Sequence, residues 1–347
     1  MGALAVMLGL LIFSFIVTSM FVVPFINLLY FLKFQRAKQQ TRDTFGILTP
    51  IFNKFHEQKA GVPVGGGILV IAAVSILFAI FLPLLEQYGV TITSIYTSIG
   101  AETNIIFFTF LSFGVLGLYD DIKKFFQFKT AGLFGLTMKH KFVLELILAT
   151  IVSLMLYYDL GISILNIPFI GTFDLGIMYV PFAAFMIVSF ANAINITDGL
   201  DGLASGSLMI SLFGLWFLSA SILDVPLSVF IALWLGSLIS FMYFNVFPAR
   251  IFMGDVGSLS FGATLAVVGL LLGKVVALSI IGFIFVIEIA SSLFQLLSKK
   301  FLKRKLIPAA PLHLSLQQYG WAEPKIVQRA WLVQIMLMLF GVWLAVL

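Results

Sequence analysis

The 347-residue chain has no cysteine, only three histidines and a charged fraction of only 10%. The first absence excludes disulfides and thiolate-bound metal, and leaves oxygen or imidazole as the side-chain donors for any cation. His313 sits in no metal-ligand spacing, so it marks no zinc site. The scarcity of charge excludes a water-soluble globule, since a soluble chain of this length needs polar helix faces and polar loops throughout. No GxxxxGK[ST] stretch occurs, which excludes a Walker-type phosphate loop.

What is abundant is apolar. Hydrophobic residues make up 61% of the chain, 38 of them Phe, and the mean hydropathy is +1.13. Apolar runs of roughly 20 residues, the length of a membrane-crossing helix, recur from one end to the other. The expected fold is an all-α polytopic membrane protein, one integral membrane domain over 1–347 with ten spans. These lie near 3–34, 64–85, 104–119, 141–159, 176–195, 202–223, 226–247, 259–273, 275–298 and 326–347. The first is too long for a signal-peptide core and lacks a small-residue cleavage site, so it reads as a retained span. The runs at 104–119 and 259–273 are short and are expected either to extend into the polar motifs beside them or to sit in a locally thinned bilayer. "ISILNIPFIGTFDLG" (162–176) alternates around Pro and Gly and predicts a small outer β-hairpin.

With ten spans the loops alternate between two sides, and 19 of the 20 Lys and Arg fall on one of them, only Lys274 opposite. The positive-inside bias makes that side cytoplasmic and places both termini outside. Asp120, Asp121, Asp198, Asp201 and Asp255 all fall at span ends on this side, from three separate loops. The plain alternative is helix capping, with Asp198 or Asp201 before the span at 202 and Asp255 or Ser258 before the span at 259.

Three motifs carry chemistry. "GLYDDIKKF" (117–125) sets two carboxylates side by side, and adjacent anions repel unless a cation intervenes or one stays protonated. All-oxygen donors suit Mg²⁺ or Mn²⁺. "NITDGLDGLASG" (195–206) puts two more Asp on a glycine-rich link. "FNVFPARIFMGDVGSLSFG" (244–262) adds Asn245 and Asp255 in a Gly/Pro-rich turn before a helix, where backbone amides and the helix field favour phosphate. In "KAGVPVGGGILV" (59–70) the glycines read as close helix packing, while Lys59, with Lys124 and Lys141, is placed to counter phosphate charge. Two acids lie inside spans: Glu145, one turn from Lys141 and paired with it on the simplest account, and Glu288, without a partner nearby. The basic cluster Lys299–Lys305 reads as a contact with anionic lipid.

Together "YDDIKK", "NAINITDGLDGLASG", "FNVFPARIFMGDVGSLSFG" and "APLHLSLQQYGWAEPKIVQRAW" resemble the bacterial phospho-N-acetylmuramoyl-pentapeptide transferases, a branch of the polyprenyl-phosphate N-acetylhexosamine-1-phosphate transferases. The resemblance implies ten spans in the bacterial cytoplasmic membrane, a cytoplasmic active site, a Mg²⁺ requirement and a homodimer. The implied partners are UDP-N-acetylmuramoyl-pentapeptide, undecaprenyl phosphate and the bilayer, with no nucleic acid. It implies Asp120, Asp121, Asp198 and His313 as catalytic, and Asp255 with Asp198 as metal ligands. Lys59, Lys124, Lys141, Asn195, Gly199, Leu200, Asp201, Asn245 and Phe252 are the implied substrate contacts.

The chain departs from that family in two places. The family pattern APxHHH reads "APLHLSLQ" here, keeping His313 and replacing the next two histidines by Leu314 and Ser315, and TPTMGG reads "VPVGGG". These departures leave open transfer from another UDP-sugar or a silent homologue that binds nucleotide or lipid without turnover, and the intramembrane Glu145 and Glu288 with broken spans separately suggest a secondary transporter.

Overall fold

The structure, a computed structural model, describes residues 3–35, 59–126 and 138–347. Parts of the basic loops at 35–63 and 120–140 lie outside the described residues. The described chain is helical: α1 (Ala3–Phe31), α2 (Gly66–Gln87), α3 (Ile99–Phe126), α4 (Met138–Tyr158), α5 (Tyr179–Thr197), α6 (Leu203–Ser221), α7 (Val225–Asn245), α8 (Gly254–Leu271), α9 (Val275–Ile281), α10 (Phe283–Leu297), α11 (Leu312–Gln318) and α12 (Glu323–Val346). Between α4 and α5, β1 (Ile164–Ile167) and β2 (Gly171–Asp174) pair antiparallel as the predicted hairpin, Ile164 opposite Asp174 and Ile167 opposite Gly171.

Nine of the described helices are long and apolar enough to cross a membrane. The two short runs do extend into their motifs: α3 continues through Asp120 and Asp121, and α8 begins at Gly254. The expected span at 275–298 is broken. It is two helices, α9 and the segment Phe283–Leu302, bent by 83° at Gly282, and it supplies a tenth crossing only if the pair counts as one. The reason is local: α9 has seven residues, about 10 Å of helix, too short to cross alone. At the break, a Cβ on Gly282 would lie 2.9 Å from the Phe190 ring. An apolar run shows no such bend.

The spans form a centre and a rim. All of the α8 span and 89% of the α7 span are buried, against 28% or less for α1, α2, α4 and α12, whose outer faces carry exposed Leu, Ile and Phe for lipid. A buried Phe110–Phe230–Trp234–Phe261 group, ring centroids 5.3–5.8 Å apart, fills the space between α3, α7 and α8. Hydroxyls join α1 to α7: Ser14 Oγ donates to the Leu233 carbonyl at 2.7 Å and lies 2.8 Å from Ser237 Oγ. Such polar contacts and small residues hold helices together where lipid offers no hydrophobic gain.

The central helix is close-packed because its neighbours give up side chains. A Cβ on Gly117 would stand 2.1 Å from the Asp255 carbonyl oxygen, one on Gly67 2.3 Å from Gly257 Cα, and one on Gly262 2.3 Å from the Phe190 carbonyl oxygen. The glycines of "VPVGGG" therefore do pack helix on helix. Gly66 and Gly67 donate N–H to the carbonyls of Phe252 and Met253 at 2.8 and 2.9 Å. Gly67→Ala is expected to push α2 from α8 and to destabilise the protein by about 1–3 kcal/mol. Gly9→Ala, which meets nothing within 4 Å, should be neutral. Thermal unfolding of both variants in detergent checks the pair.

Candidate active site at one end of the bundle

Asp120 and Lys124 are one turn apart at the end of α3, and the first turn of α4 supplies Lys141. The Oδ2 of Asp120 lies 3.0 Å from each ammonium. The Oδ2 of Asp255, in the first turn of α8, lies 2.7 Å from Lys124 and is also hydrogen-bonded by Lys141. Two anions and two cations from three helices thus alternate. This overturns the local pairing of Lys141 with Glu145: Glu145 instead accepts from Asn192 Nδ2 at 2.5 Å, since two carboxylates of the tertiary site claim the lysine.

Asp121, the next residue of α3, is fully buried. Its Oδ2 accepts from the Val256 N–H at 3.0 Å, so a carboxylate of α3 caps the start of α8. Gly254 has φ +79°, and a Cβ there would stand 2.7 Å from that same oxygen. The capping alternative is corrected accordingly: neither Asp255 nor Ser258 caps α8, because the helix begins before them, and Gly202 rather than an aspartate stands at the start of α6. The second oxygen of Asp121, Oδ1, is buried without a hydrogen-bond partner.

The turn 198–202 links α5 to α6 beside this cluster. Lys59 Nζ reaches the Gly199 carbonyl at 3.1 Å, Asp201 Oδ1 at 2.7 Å and Glu323 Oε1 at 2.6 Å, and lies 5.9 Å from the centre of the Phe252 ring. Glu323 Oε1 also accepts from the Asp201 N–H at 2.6 Å, and Asp201 Oδ2 from the Ala249 N–H at 2.9 Å. Asn195 ties the turn's helix to α8, donating to Ser258 Oγ at 2.7 Å. Leu200 is buried with Leu203, Ile284, Ile326 and Val327, which seats the turn on α10 and α12. Asn245 is buried behind the turn, accepting from Ser205 Oγ at 2.6 Å and donating to the Ile251 carbonyl at 2.9 Å, and braces the loop before α8.

Asp198 ends α5, its N–H donating to the Ile194 carbonyl at 3.0 Å. Burial, then the nearby carboxylates of Asp255, Asp121 and Asp201, push its carboxyl well above the usual range, with Lys59 opposing. Positive charge is therefore under-supplied at this point.

His313, in the first turn of α11, is buried with its Nδ1 3.0 Å from Glu288 Oε2. Its Nε2 faces Gly199. Leu314 and Ser315 are buried too, and Ser315 Oγ bonds both the N–H and the carbonyl of Ala309 within its own loop. Lys299, Lys300, Lys303, Arg304 and Lys305 are exposed.

The residues named from sequence therefore gather at one end of the bundle as two adjoining groups. Asp120, Asp121, Asp255, Lys124 and Lys141 form one; Lys59, Asp198, Gly199, Asp201 and Phe252 form the other, with Asn195 between. Sequence reasoning missed Glu323 and left Glu288 unassigned. The cost of a lone carboxylate in an apolar run was a signal for Glu288; Glu323 gave none.

Asp198 makes one contribution to the pH dependence of stability. A carboxyl raised in the folded state binds its proton more tightly than the unfolded chain does, so ionising it costs stability as pH rises through the folded value. Asp198→Asn is expected to be more heat-stable than the parent at pH 8, by a few degrees at roughly one kcal/mol, and the gap should close toward pH 4. Melting curves across that range check it.

Residues 103–273, from α3 past the end of α8, match the family described as Glycosyl transferase family 4. The chain is similar to a phospho-N-acetylmuramoyl-pentapeptide-transferase of Clostridium perfringens, 36% identical over 321 residues, 91% of this chain and 90% of the relative. Proteins of the same name from Aquifex aeolicus (35% over 306 residues, 83% and 80%) and Rickettsia akari (36% over 306 residues, 82% and 80%) are similarly close.

Proposed function

The chain belongs to the phospho-N-acetylmuramoyl-pentapeptide transferases, and from that premise we propose how its residues divide the work. The enzyme transfers phospho-N-acetylmuramoyl-pentapeptide from its UDP-linked donor to undecaprenyl phosphate, releasing UMP and forming the first lipid-linked peptidoglycan precursor. The observation that carries the site reading is the meeting of Asp120, Asp121 and Asp255 with Lys124 and Lys141 at one bundle end, beside the Lys59-held turn. A soluble nucleotide and a membrane-held phosphate meet only at such an end. The Lys and Arg bias makes it the cytoplasmic face of the bacterial inner membrane.

The donor set suits Mg²⁺. The Oδ1 of Asp121 is buried and unpartnered, and Asp198 is short of positive charge. Among the described residues no three acids or imidazoles converge as a ready metal cage. That suits an ion that keeps waters and substrate oxygens and takes only one or two carboxylates. Asp255 and Asp198 would hold it, and when bound it supplies neutralisation of the diphosphate oxygens. Mn²⁺ offers the same chemistry.

The chain's own groups do the rest. Lys124 and Lys141 stand where diphosphate charge is to be met, and Lys59 with Phe252 frames the uridine side of the turn. Asp120 takes any proton remaining on the lipid phosphate. A phosphate monoester has its second pKa near 6 and is mostly ionised at neutral pH. Direct attack therefore needs no covalent aspartyl intermediate: the lipid phosphate oxygen bonds to the sugar-linked phosphorus as its bond to UMP breaks. The transporter reading loses its motive, since Glu145 and Glu288 are both engaged by neighbours.

Purified protein given undecaprenyl phosphate and the UDP-linked muramoyl-pentapeptide is expected to release UMP only with Mg²⁺ or Mn²⁺. Asp255→Asn and Asp198→Asn should lower the rate on the order of 10²-fold or more while remaining folded. Release from a different UDP-sugar alone would reassign the substrate. Unchanged release by either variant would refute the site.

A further inference from the structure

We infer that Glu288 and His313 form a positioning pair: the imidazole, held by Glu288, sets the Gly199 turn and through it the Asp198 carboxylate. The inference rests on the functional reading above, and it moves His313 from the catalytic to the positioning residues.

Glu288 lies within the apolar stretch "FIFVIEIASS" and is buried. A carboxylate in such a place is costly and calls for a partner. It has one, 25 residues away, held at two points: Glu288 Oε2 is 3.0 Å from His313 Nδ1, and Oε1 accepts the His313 backbone N–H at 3.2 Å. The side chain and the backbone of residue 313 are therefore fixed by the same carboxylate, and the ring cannot swing away without losing that bond.

The opposite edge of the ring bears on Gly199. A Cβ added there would stand 2.7 Å from His313 Nε2 and 3.1 Å from Cε1, and the ring is only 1% exposed. Nε2 is buried without a hydrogen-bond partner. Enclosed between Glu288 and Gly199, the imidazole reaches the reacting groups through the turn. Gly199 does not take the left-handed backbone conformation that favours glycine, so the backbone itself would accept alanine and the ring is what excludes it. On the other side Lys59 Nζ holds the Gly199 carbonyl at 3.1 Å and Asp201 at 2.7 Å. The turn is gripped from two sides, and Asp198 is its first residue. Ser315 bonds its own loop and Leu314 is buried, and the Glu288–His313 contact involves neither of the two altered positions.

The test is a double-mutant cycle on UMP release in the full-length protein, with KM for the UDP-linked donor and melting temperature measured alongside. Gly199→Ala is expected to lower kcat on the order of 10- to 100-fold, with a smaller change in KM, because a misplacement of about 1 Å has that effect. His313→Ala should lower kcat without abolishing it. The combined variant should be no worse than His313→Ala alone, since the clash is gone. Glu288→Gln, which keeps an acceptor oxygen for the ring, should retain most of the activity that Glu288→Ala loses. If the two substitutions multiply, or if folded, donor-binding His313→Ala has no measurable turnover, the imidazole touches the reacting atoms and the inference is overturned. A parent protein that releases no UMP would instead overturn the functional reading.

Discussion

The approach of α8 to α3 decides where the charged groups can meet. Gly117 leaves no room for a side chain, and the Asp255 carbonyl oxygen occupies the place a Cβ would take, at 2.1 Å. With the backbones that close, Asp121 spans the gap and caps α8 through the Val256 N–H, and Asp120, one residue earlier, faces Asp255 across two ammoniums. A larger residue at 117 would separate the two helices and with them the carboxylates. Small residues near polar motifs thus set the geometry of the site, as aromatic packing sets that of the core.

Charge at this end is arranged by compensation rather than avoidance. Removing ions from water is expensive, and mutual attraction repays that only when each has an opposite partner in good geometry. Asp120, Asp255, Lys124 and Lys141 satisfy one another, as do Lys59, Asp201 and Glu323. Asp198 and Asp121 are the exceptions: burial and like charges outweigh the one lysine near Asp198, and Asp121 keeps one buried oxygen unpartnered. A site balanced everywhere would have no use for a cation. The divalent ion proposed for this site would answer that local deficit of positive charge.

Much of this was legible in the sequence. Apolar runs gave the spans because hydrocarbon admits only helices with internally satisfied backbones, and the Pro/Gly alternation at 162–176 gave the hairpin. The convergence of the Asp motifs followed from sorting loops by charge. The 83° bend at Gly282 was not legible, since a glycine amid apolar residues looks the same in a straight helix. Nor were partner choices. Lys141 beside Glu145 is a sound local pair, yet two carboxylates brought by other helices outbid it, and Lys59 finds Glu323 from 264 residues away. Propensity and spacing act within a few turns, whereas these pairings depend on which helix ends share a face.

The same distinction bears on what a polar residue at such a site is for. Asn245, Glu288 and Glu323 carry functional groups fit for catalysis, but each spends them on the protein: Asn245 on Ser205 and the Ile251 carbonyl, Glu288 on His313, Glu323 on Lys59 and the Asp201 amide. What they hold, Glu288 through His313, is the short turn 198–202 and the loop before α8, two irregular stretches at this end of the bundle. Irregular backbone at membrane depth or its edge must have its polar groups met by the protein itself. A turn so fixed carries its carboxylates at defined positions before substrate arrives, and preorganised charge of that kind is the main contribution a protein makes to phosphoryl transfer.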